Sequence, residues 1–158
     1  MAKGFERHKN IEKYYEAFSG EGKNKIFNTM WDLYYLSFLI GLSANKKTPE
    51  FGMGDGTKEL DRSMANYAKK KYSLIALLLV LSTDKDVDDT EKLQKLLNEY
   101  VDSENNTLNE NGFRKMNEDA FAGFEYLEEK ISPHPSNAGA LFEKIYQQVS
   151  KAFEKKLS

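Results

Sequence analysis

The segment from Ile26 to Leu42 constrains the fold of this chain more than any other part of its sequence. On a helix, its apolar and aromatic side chains fall on nearly every face, and its one acid, Asp32, lies among bulky rings. A helix that is apolar all round is normally buried within a domain or covered by a partner. We therefore expect a central core helix over residues 26–42 that ends near Gly41.

Helical periodicity continues through the rest of the chain, and no convincing strand pattern accompanies it. Apolar residues that recur every three or four positions indicate amphipathic helices, and glycine, proline and short polar residues separate them. The further predicted helices cover residues 9–19, 58–82, 89–101, 113–130 and 136–156. The helix over residues 58–82 is polar in its first half and apolar in its second half, and it could break near Lys71-Tyr72. The sequence thus predicts an all-α fold, a single compact helical domain of about six helices over residues 1–158.

Each of these predicted helices has positions that should face the core. In the loop of residues 43–56, Phe51 and Met53 are expected to return to the core. The inward positions of the helices are Ile11, Tyr14, Tyr15 and Phe18, then Leu93, Leu96, Leu97, Tyr100 and Val101, then Met116, Phe121, Phe124, Leu127 and Ile131, and finally Leu141, Ile145, Val149 and Phe153.

The amino-acid composition limits which cellular compartment the protein is expected to occupy. The chain has no cysteine, so disulfides and thiolate chemistry are excluded, and a reducing compartment is expected. The first residues lack the apolar core of a signal peptide. The longest apolar run, residues 74–81, is much shorter than the roughly 20 residues of a membrane span, and we expect it to form a buried helix segment. We expect a cytoplasmic protein that makes no contact with a membrane.

Charge is unevenly distributed along a chain whose formal net charge is −2. Residues 1–47 contain eight Lys or Arg and five acids, whereas residues 84–130 contain fourteen acids and six bases. Because its acidic and basic residues nearly cancel, the chain is not expected to coat nucleic acid non-specifically. The asymmetry could orient a partner, but solvated helix faces explain it more simply.

Residue types that carry out catalysis or bind metals do not converge in this sequence. Asp84, Asp86 and Asp88 have the opening spacing of a calcium loop, but Asp89 and Lys95 occupy the positions that require glycine and a closing acid. Helix capping is the simpler explanation of these aspartates. The histidines His8 and His134 have no second ligand at helical spacing. We predict no metal, no cofactor, no catalytic residue and hence no enzyme.

Two sets of residues are candidates for binding. Adjacent tyrosines cannot both face one surface from a helix, and aromatic residues often anchor interfaces. Core packing explains them about as well as a protein interface does. Lysines flanked by tyrosines could contact a phosphate backbone, although a solvated helix face is favoured. The protein-interface candidates are Trp31, Tyr34, Tyr35, Tyr14 and Tyr15, and the nucleic-acid candidates are Lys46, Lys47, Arg62, Lys69, Lys70 and Lys71.

Residues 22–42 carry a resemblance to a known family. They include Phe27-Asn-Thr-Met-Trp-Asp-Leu33, and an apolar helix and a polar loop with Lys46-Lys47-Thr48-Pro49 follow. This sequence pattern resembles that of the small accessory proteins encoded beside bacterial Dnd DNA-phosphorothioation systems. The match covers residues 22–56 and continues more weakly to residue 102, and Leu42 stands where that family has an aromatic residue. The resemblance implies a small non-catalytic subunit of an anti-phage defence island, and it carries over no site residue.

Two functional hypotheses follow. In the first, the protein is a non-catalytic accessory or adaptor subunit of a prokaryotic defence or DNA-modification system. It would bind larger protein subunits, with contact to DNA and the oligomeric state left open. In the second, it is a small helical nucleic-acid-binding protein that uses its Lys and Arg side chains. Strong salt dependence of binding would separate the second from the first, because phosphate contacts release counterions.

Overall fold

The computed structural model describes residues 4–19, 26–60, 71–83, 89–131 and 137–157, and this part of the chain is mostly helical. The prediction of a mainly helical fold is therefore confirmed. The helices are α1 (Ile11–Ser19), α2 (Met30–Ala44), the short α3 (Glu50–Met53), α4 (Tyr72–Thr83), α5 (Thr90–Asn98), α6 (Glu110–Lys130) and α7 (Ala138–Leu157), and a 3-10 turn covers Gly54–Gly56.

Two short two-stranded sheets accompany the helices, and the sequence did not predict them. Strand β1 (Glu6–His8) pairs with β2 (Thr57–Glu59), and β3 (Val101–Asp102) pairs with β4 (Thr107–Leu108). The second pair is antiparallel, with Val101 opposite Leu108. Strands of two or three residues are too short to show the period-two alternation that indicates a strand. The expected helical starts and ends at residues 58–59 and 101 were wrong for this reason.

The chain packs as two compact units. One, the hairpin unit, contains Met1–Glu6 and Glu59–Asn117, and the other, the α2 unit, contains Arg7–Lys58 and Glu118–Ser158. Helix α6 supplies residues to both units, since the boundary falls after Asn117. Whether the chain behaves as one domain, as the sequence predicts, remains a prediction.

Helix α2 begins and ends at residues other than those predicted. Its start is fixed at Thr29 by a capping box, in which the Asp32 backbone N–H donates to Thr29 Oγ1 at 3.3 Å and the Thr29 N–H donates to Asp32 Oδ2 at 2.8 Å. Reciprocal bonds of this kind satisfy the free amides of a first turn. The helix ends at Asn45, which has φ of 51°. Asn tolerates this left-handed conformation, and Gly41 lies inside the helix.

The core of the α2 unit is built largely from aromatic rings. The Tyr14 ring meets Phe124 edge-on with centroids 5.8 Å apart, and the Trp31 and Tyr34 ring centroids are 5.3 Å apart. Such offset and edge-on pairs add to the stabilisation from burial. Buried members of this core are Ile11, Tyr14, Phe18, Phe27, Trp31, Leu33, Tyr34, Phe38, Ile40, Met53, Phe121, Phe124, Leu127, Ile131, Leu141 and Ile145.

Helices α2 and α6 approach each other closely at two glycines. A Cβ on Gly123 would lie only 2.6 Å from the Gly41 nitrogen and 2.9 Å from the Ser37 carbonyl carbon. A Cβ on Gly41 would lie 2.8 Å from the Asp119 carbonyl carbon. The two backbones therefore touch without intervening side chains, so Gly41 is required by packing and does not end the helix.

The hairpin unit has a smaller core, formed by Ile75, Leu79, Leu108 and Met116, which are fully or nearly fully buried. The predicted buried stripe of α5 is only half-buried. Asn109 ties the end of α5 to the start of α6: its Oδ1 accepts the Gly112 N–H at 3.0 Å, and its Nδ2 donates to the Glu99 carbonyl at 3.0 Å. One side chain thus caps both helices.

Some of the remaining predictions concern described residues, and others concern residues that the structure does not describe. Helix α4 begins at Tyr72, where the sequence changes from polar to apolar. Met53 is buried as expected. Residues 61–70, the aspartates at 84, 86 and 88, and His134 lie outside the described residues, as do the side chains of Phe51 and Phe153. Among the helices that are described, none is both long enough and apolar enough to cross a membrane.

Candidate partner-binding surface

The predicted interface aromatics divide into a buried and a partly exposed group. Trp31, Tyr34 and Tyr14 are at most 2 % exposed and belong to the core of the α2 unit. Tyr15 and Tyr35 are half-buried. Each tyrosine pair therefore places one member in the core and the other near the surface, which is the division that helical geometry requires. Contact of any of these residues with a partner stays a prediction.

The two half-buried tyrosines are held by local contacts. The Tyr15 hydroxyl donates to the Asn28 carbonyl at 3.1 Å. The Tyr35 ring stacks on Trp31, with centroids 6.3 Å apart and planes 18° apart, and it lies 6.0 Å from the Phe38 ring. These contacts fix the outer rings on the α2 unit, so that any exposed part of them is presented in one orientation.

Only part of the predicted basic set can be placed. Lys46 and Lys47 are exposed directly after α2, and Lys71 is exposed directly before α4. The first two belong to the α2 unit and the third to the hairpin unit. The other candidates, Arg62, Lys69 and Lys70, lie outside the described residues. Within the described chain, the structure brings together only the adjacent pair Lys46 and Lys47.

An open groove of about 400 Å³ runs between α2 and α7. Its lining is apolar apart from two hydroxyl groups, and the Ser43 hydroxyl is already committed, since it donates to the Leu39 carbonyl at 2.8 Å. The lining residues are Leu36, Leu39, Ile40 and Ser43 from α2 and Phe142, Ile145, Tyr146 and Val149 from α7.

Two aromatic side chains on the α7 side of this groove are exposed to solvent. Phe142 is 48 % exposed and Tyr146 is 73 % exposed. They are four residues apart and therefore lie on one face of the helix. The floor beside them is formed by Ile145 and Ile40, which are buried. We call this combination of groove and exposed rings the α2/α7 groove.

Sequence reasoning missed this groove although a signal was present. It identified Leu141 and Ile145 as the inward face of the last helix, and both are buried. The neighbouring positions 142 and 146 are also apolar or aromatic, which makes the stripe wider than one packing contact requires. An apolar stripe of that width indicates a surface beyond the one buried in the core.

A second apolar surface lies on α4 in the hairpin unit. Leu74 and Leu81 are 45 % and 50 % exposed, and Leu77 and Leu78 between them are half-buried. These residues follow the i, i+3, i+4, i+7 pattern of a single helix face. The expectation that residues 74–81 form a buried segment therefore applies to one face of α4 only.

Charged residues lie near both ends of α2. Asp32 precedes Leu36 by four residues and so lies on the same helix face. At the other end, the Lys46 backbone N–H donates to the Gly41 carbonyl at 2.9 Å, which holds the lysine pair against the end of α2. The pKa of Glu129 is lowered, mainly by its bond to Lys130 and to a smaller extent by the positive charge of Lys46.

A separate polar cluster surrounds β1. The His8 ring is buried against Phe121 and Phe124, with centroids 4.5 and 4.9 Å away, and its Nδ1 accepts the Asn10 N–H at 3.1 Å. Burial lowers the pKa of His8, an effect that the negative charges of Glu128 and Glu125 partly oppose. Glu12 bridges Arg7 and Lys58. In the parts of the chain that the structure describes, no three potential ligands converge on a metal position.

The chemistry available to the α2/α7 groove is burial of apolar side chains.

Comparison of the chain with protein-family models, with curated proteins and with solved structures finds no match. Function is therefore inferred from the groove and its two exposed aromatic rings.

Proposed function

We propose that this protein is a non-catalytic adaptor subunit of a prokaryotic anti-phage defence or DNA-modification system, and that it acts through protein–protein contacts. The observation that supports this proposal is the α2/α7 groove with its exposed Phe142 and Tyr146. The larger exposed apolar patches of a protein often mark interaction sites. Covering two rings of this size removes apolar area worth several kcal/mol, at about 25 cal/mol per Å².

The wider setting forms part of the same proposal. The resemblance of residues 22–42 to Dnd-associated accessory proteins supports a role in a defence island. A cytoplasmic location, larger protein subunits as partners and a single domain of about six helices complete the proposal. The buried candidates Trp31, Tyr34 and Tyr14 would then support the surface from the core, and residues of the groove would make the contact.

Affinity purification from the native host tests this function. The tagged protein should retain a stoichiometric protein partner after nuclease treatment, as measured by intact-complex mass. The double variant Phe142→Ser/Tyr146→Ser should lose that partner, because it removes the two exposed anchors. Since both side chains are exposed, the fold should persist, which far-UV circular dichroism checks. Leu74→Ser is the matched control, as it removes an exposed leucine outside the groove. A wild-type protein that purifies alone after nuclease treatment contradicts the proposal.

Direct nucleic-acid binding is the second candidate, and the exposed pair Lys46 and Lys47 favours it. Binding carried by these lysines should weaken steeply with salt, because each phosphate contact releases a counterion. Fluorescence anisotropy with labelled duplex DNA, at salt concentrations from about 50 to about 200 mM, measures this dependence. Lys46→Gln/Lys47→Gln should reduce both the affinity and the salt slope, and Lys144→Gln on exposed α7 surface is the control.

A further inference from the structure

We propose that Asn111 is a site of spontaneous covalent modification and that the Asn109 side chain controls the rate. In this reaction the backbone nitrogen of Gly112 attacks the side-chain carbonyl of Asn111, and the asparagine becomes aspartate or isoaspartate. The sequence contains Asn-Gly only at residues 111–112. Glycine has no side chain to hinder the attack, so Asn-Gly is the dipeptide that offers the reaction least steric resistance. The inference concerns the hairpin unit and is independent of the proposed adaptor function.

Packing explains why a glycine follows Asn111. A Cβ on Gly112 would overlap the Tyr100 carbonyl oxygen and would lie 3.0 Å from the Leu108 Cβ. Gly112 is buried there, against the start and the end of the β3–β4 hairpin. Any other residue would have to push the hairpin away from α6, at the cost that overpacking carries. The fold therefore requires the glycine and, with it, a reactive dipeptide in the first turn of α6.

The Asn111 carboxamide itself is not protected by burial. The residue is exposed, and its Oδ1 accepts a bond from Arg114 Nη2 at 2.9 Å on the protein surface. Water and solvent base can therefore reach the Asn111 Cγ. Any protection must come from the conformation of the turn and from the bonds of the attacking nitrogen.

The reaction makes specific demands on the Gly112 nitrogen. This nitrogen loses its proton to solvent base and bonds to the Asn111 Cγ. The side-chain nitrogen takes up a proton and leaves as ammonia, so that a five-membered succinimide ring remains. Water then opens the ring. Addition at Cγ gives aspartate, and addition at the backbone carbonyl carbon gives isoaspartate, in which the chain continues through Cβ and Cγ.

Asn109 opposes these demands in the folded protein. Its Oδ1 accepts the Gly112 N–H at 3.0 Å, which holds the proton that must leave. A side chain with this bond is an N-cap and stabilises the first helical turn. Asn111 lies inside that turn, where ψ is about −42°. The planar ring instead requires the Gly112 nitrogen to eclipse the Asn111 Cβ about the Cα–C bond. The ring can thus close only when the first turn of α6 opens.

Rates of Asn111 conversion in the full-length wild type, Asn109→Ala and Asn109→Ser test the inference. The proteins are incubated in mildly alkaline buffer, and peptide mapping by mass spectrometry separates asparagine, aspartate and isoaspartate. Both variants lose the bonds that the Asn109 Nδ2 makes to carbonyls at the end of α5, but serine caps a helix about as well as asparagine and alanine does not. Conversion should be about fivefold faster in Asn109→Ala than in the wild type, which corresponds to loss of an average N-cap. It should stay within about twofold of the wild type in Asn109→Ser.

Asn105 is the internal control in the same samples, because it is exposed in the loop between β3 and β4. Its conversion rate should be the same in all three proteins, and far-UV circular dichroism checks that each is folded. Equal rates at Asn111 in Asn109→Ala and Asn109→Ser overturn the inference, since the cap then does not set the rate. An equal rise at Asn105 also overturns it, as does an Asn111 that is not converted in any of the proteins.

The wild type alone provides a second test that does not depend on how the variants fold. Opening one helical turn exposes little surface, so its free energy should hardly depend on urea, whereas global unfolding depends on urea steeply. Conversion of Asn111 should change by less than about twofold at urea concentrations below the unfolding transition. A steep increase over that range would show that the reaction occurs from the unfolded chain, and it would reject control by Asn109.

Discussion

His8 is the residue at which protonation should matter most for the fold. Its neutral ring packs against Phe121 and Phe124, and its Nδ1 accepts a hydrogen bond from the Asn10 N–H. Protonated histidine has no acceptor nitrogen, so protonation would break that bond and place a charge against two aromatic rings. Burial is the main cause of the lowered pKa, and Lys9 lowers it further, whereas Glu128 and Glu125 raise it.

This lowered pKa predicts a loss of stability in acid. The pKa of the folded state lies below the unfolded value of about 6.5, so the unfolded chain binds a proton first as the pH falls. The free energy of unfolding should therefore be unaffected by His8 above about pH 7.5 and should decrease progressively below about pH 6.5. Urea titrations at a series of pH values measure this. His8→Gln should flatten the dependence below about pH 6.5. An unchanged slope in His8→Gln contradicts the prediction.

Asn109 should contribute more to stability than its partial exposure suggests. Asn109→Ala removes the cap on the Gly112 N–H and the bonds to the carbonyls at the end of α5. Loss of an N-cap typically costs about 1 kcal/mol, and up to about 2 kcal/mol when further bonds are lost. Chemical denaturation should show a decrease of that size. Asn111→Ala is the control, since the Asn111 side chain accepts one exposed bond, from Arg114, and should change stability by less than about 0.5 kcal/mol.

At the scale of elements, the crossing of α2 and α6 should tolerate no added atom. Gly123→Ala places a methyl group against the Ser37 backbone, and the two helices must separate to admit it. We expect a loss of about 3 kcal/mol, at the upper end of the range for overpacking. Gly139→Ala in α7 meets only ordinary contact, with Asn137 Oδ1 at 3.5 Å, and should instead stabilise by about 0.5–1 kcal/mol. Similar thermal midpoints for the two variants would contradict this account.

The sequence predicted some elements well because their signals are local and repeated. In α6, Met116, Phe121, Phe124 and Leu127 were expected to face inward, and all four are buried. The start of α2 was misplaced by four residues, although Thr29 followed by Asp32 three positions later is a readable capping signal. The strands were missed because two or three residues carry no period. The wide apolar stripe of α7 indicated a further surface, but the helix that forms the other wall of the α2/α7 groove depends on tertiary packing, which the sequence does not show.

At the scale of the whole molecule, the sequence predicts one domain, and this can be tested with two probes. The single tryptophan, Trp31, is buried in the α2 unit, whereas far-UV circular dichroism reports on all helices. If the chain unfolds as one domain, the two signals should give coincident transitions. Asn109→Ala in the hairpin unit should then shift the Trp31 fluorescence midpoint as far as the dichroism midpoint. A shift confined to dichroism would instead indicate two independent folding units.

The backbone contact between Gly41 and Gly123 makes these two positions thermodynamically dependent on each other. An alanine at either position forces α2 and α6 apart, and the separation made for the first methyl group also creates room for the second. Substitutions that share one backbone shift do not add. Gly41→Ala/Gly123→Ala should therefore lose less than the sum of the two single losses, by about 1 kcal/mol or more. A sequence that acquires one of these alanines would then face little further penalty for the other, so the two positions should change together.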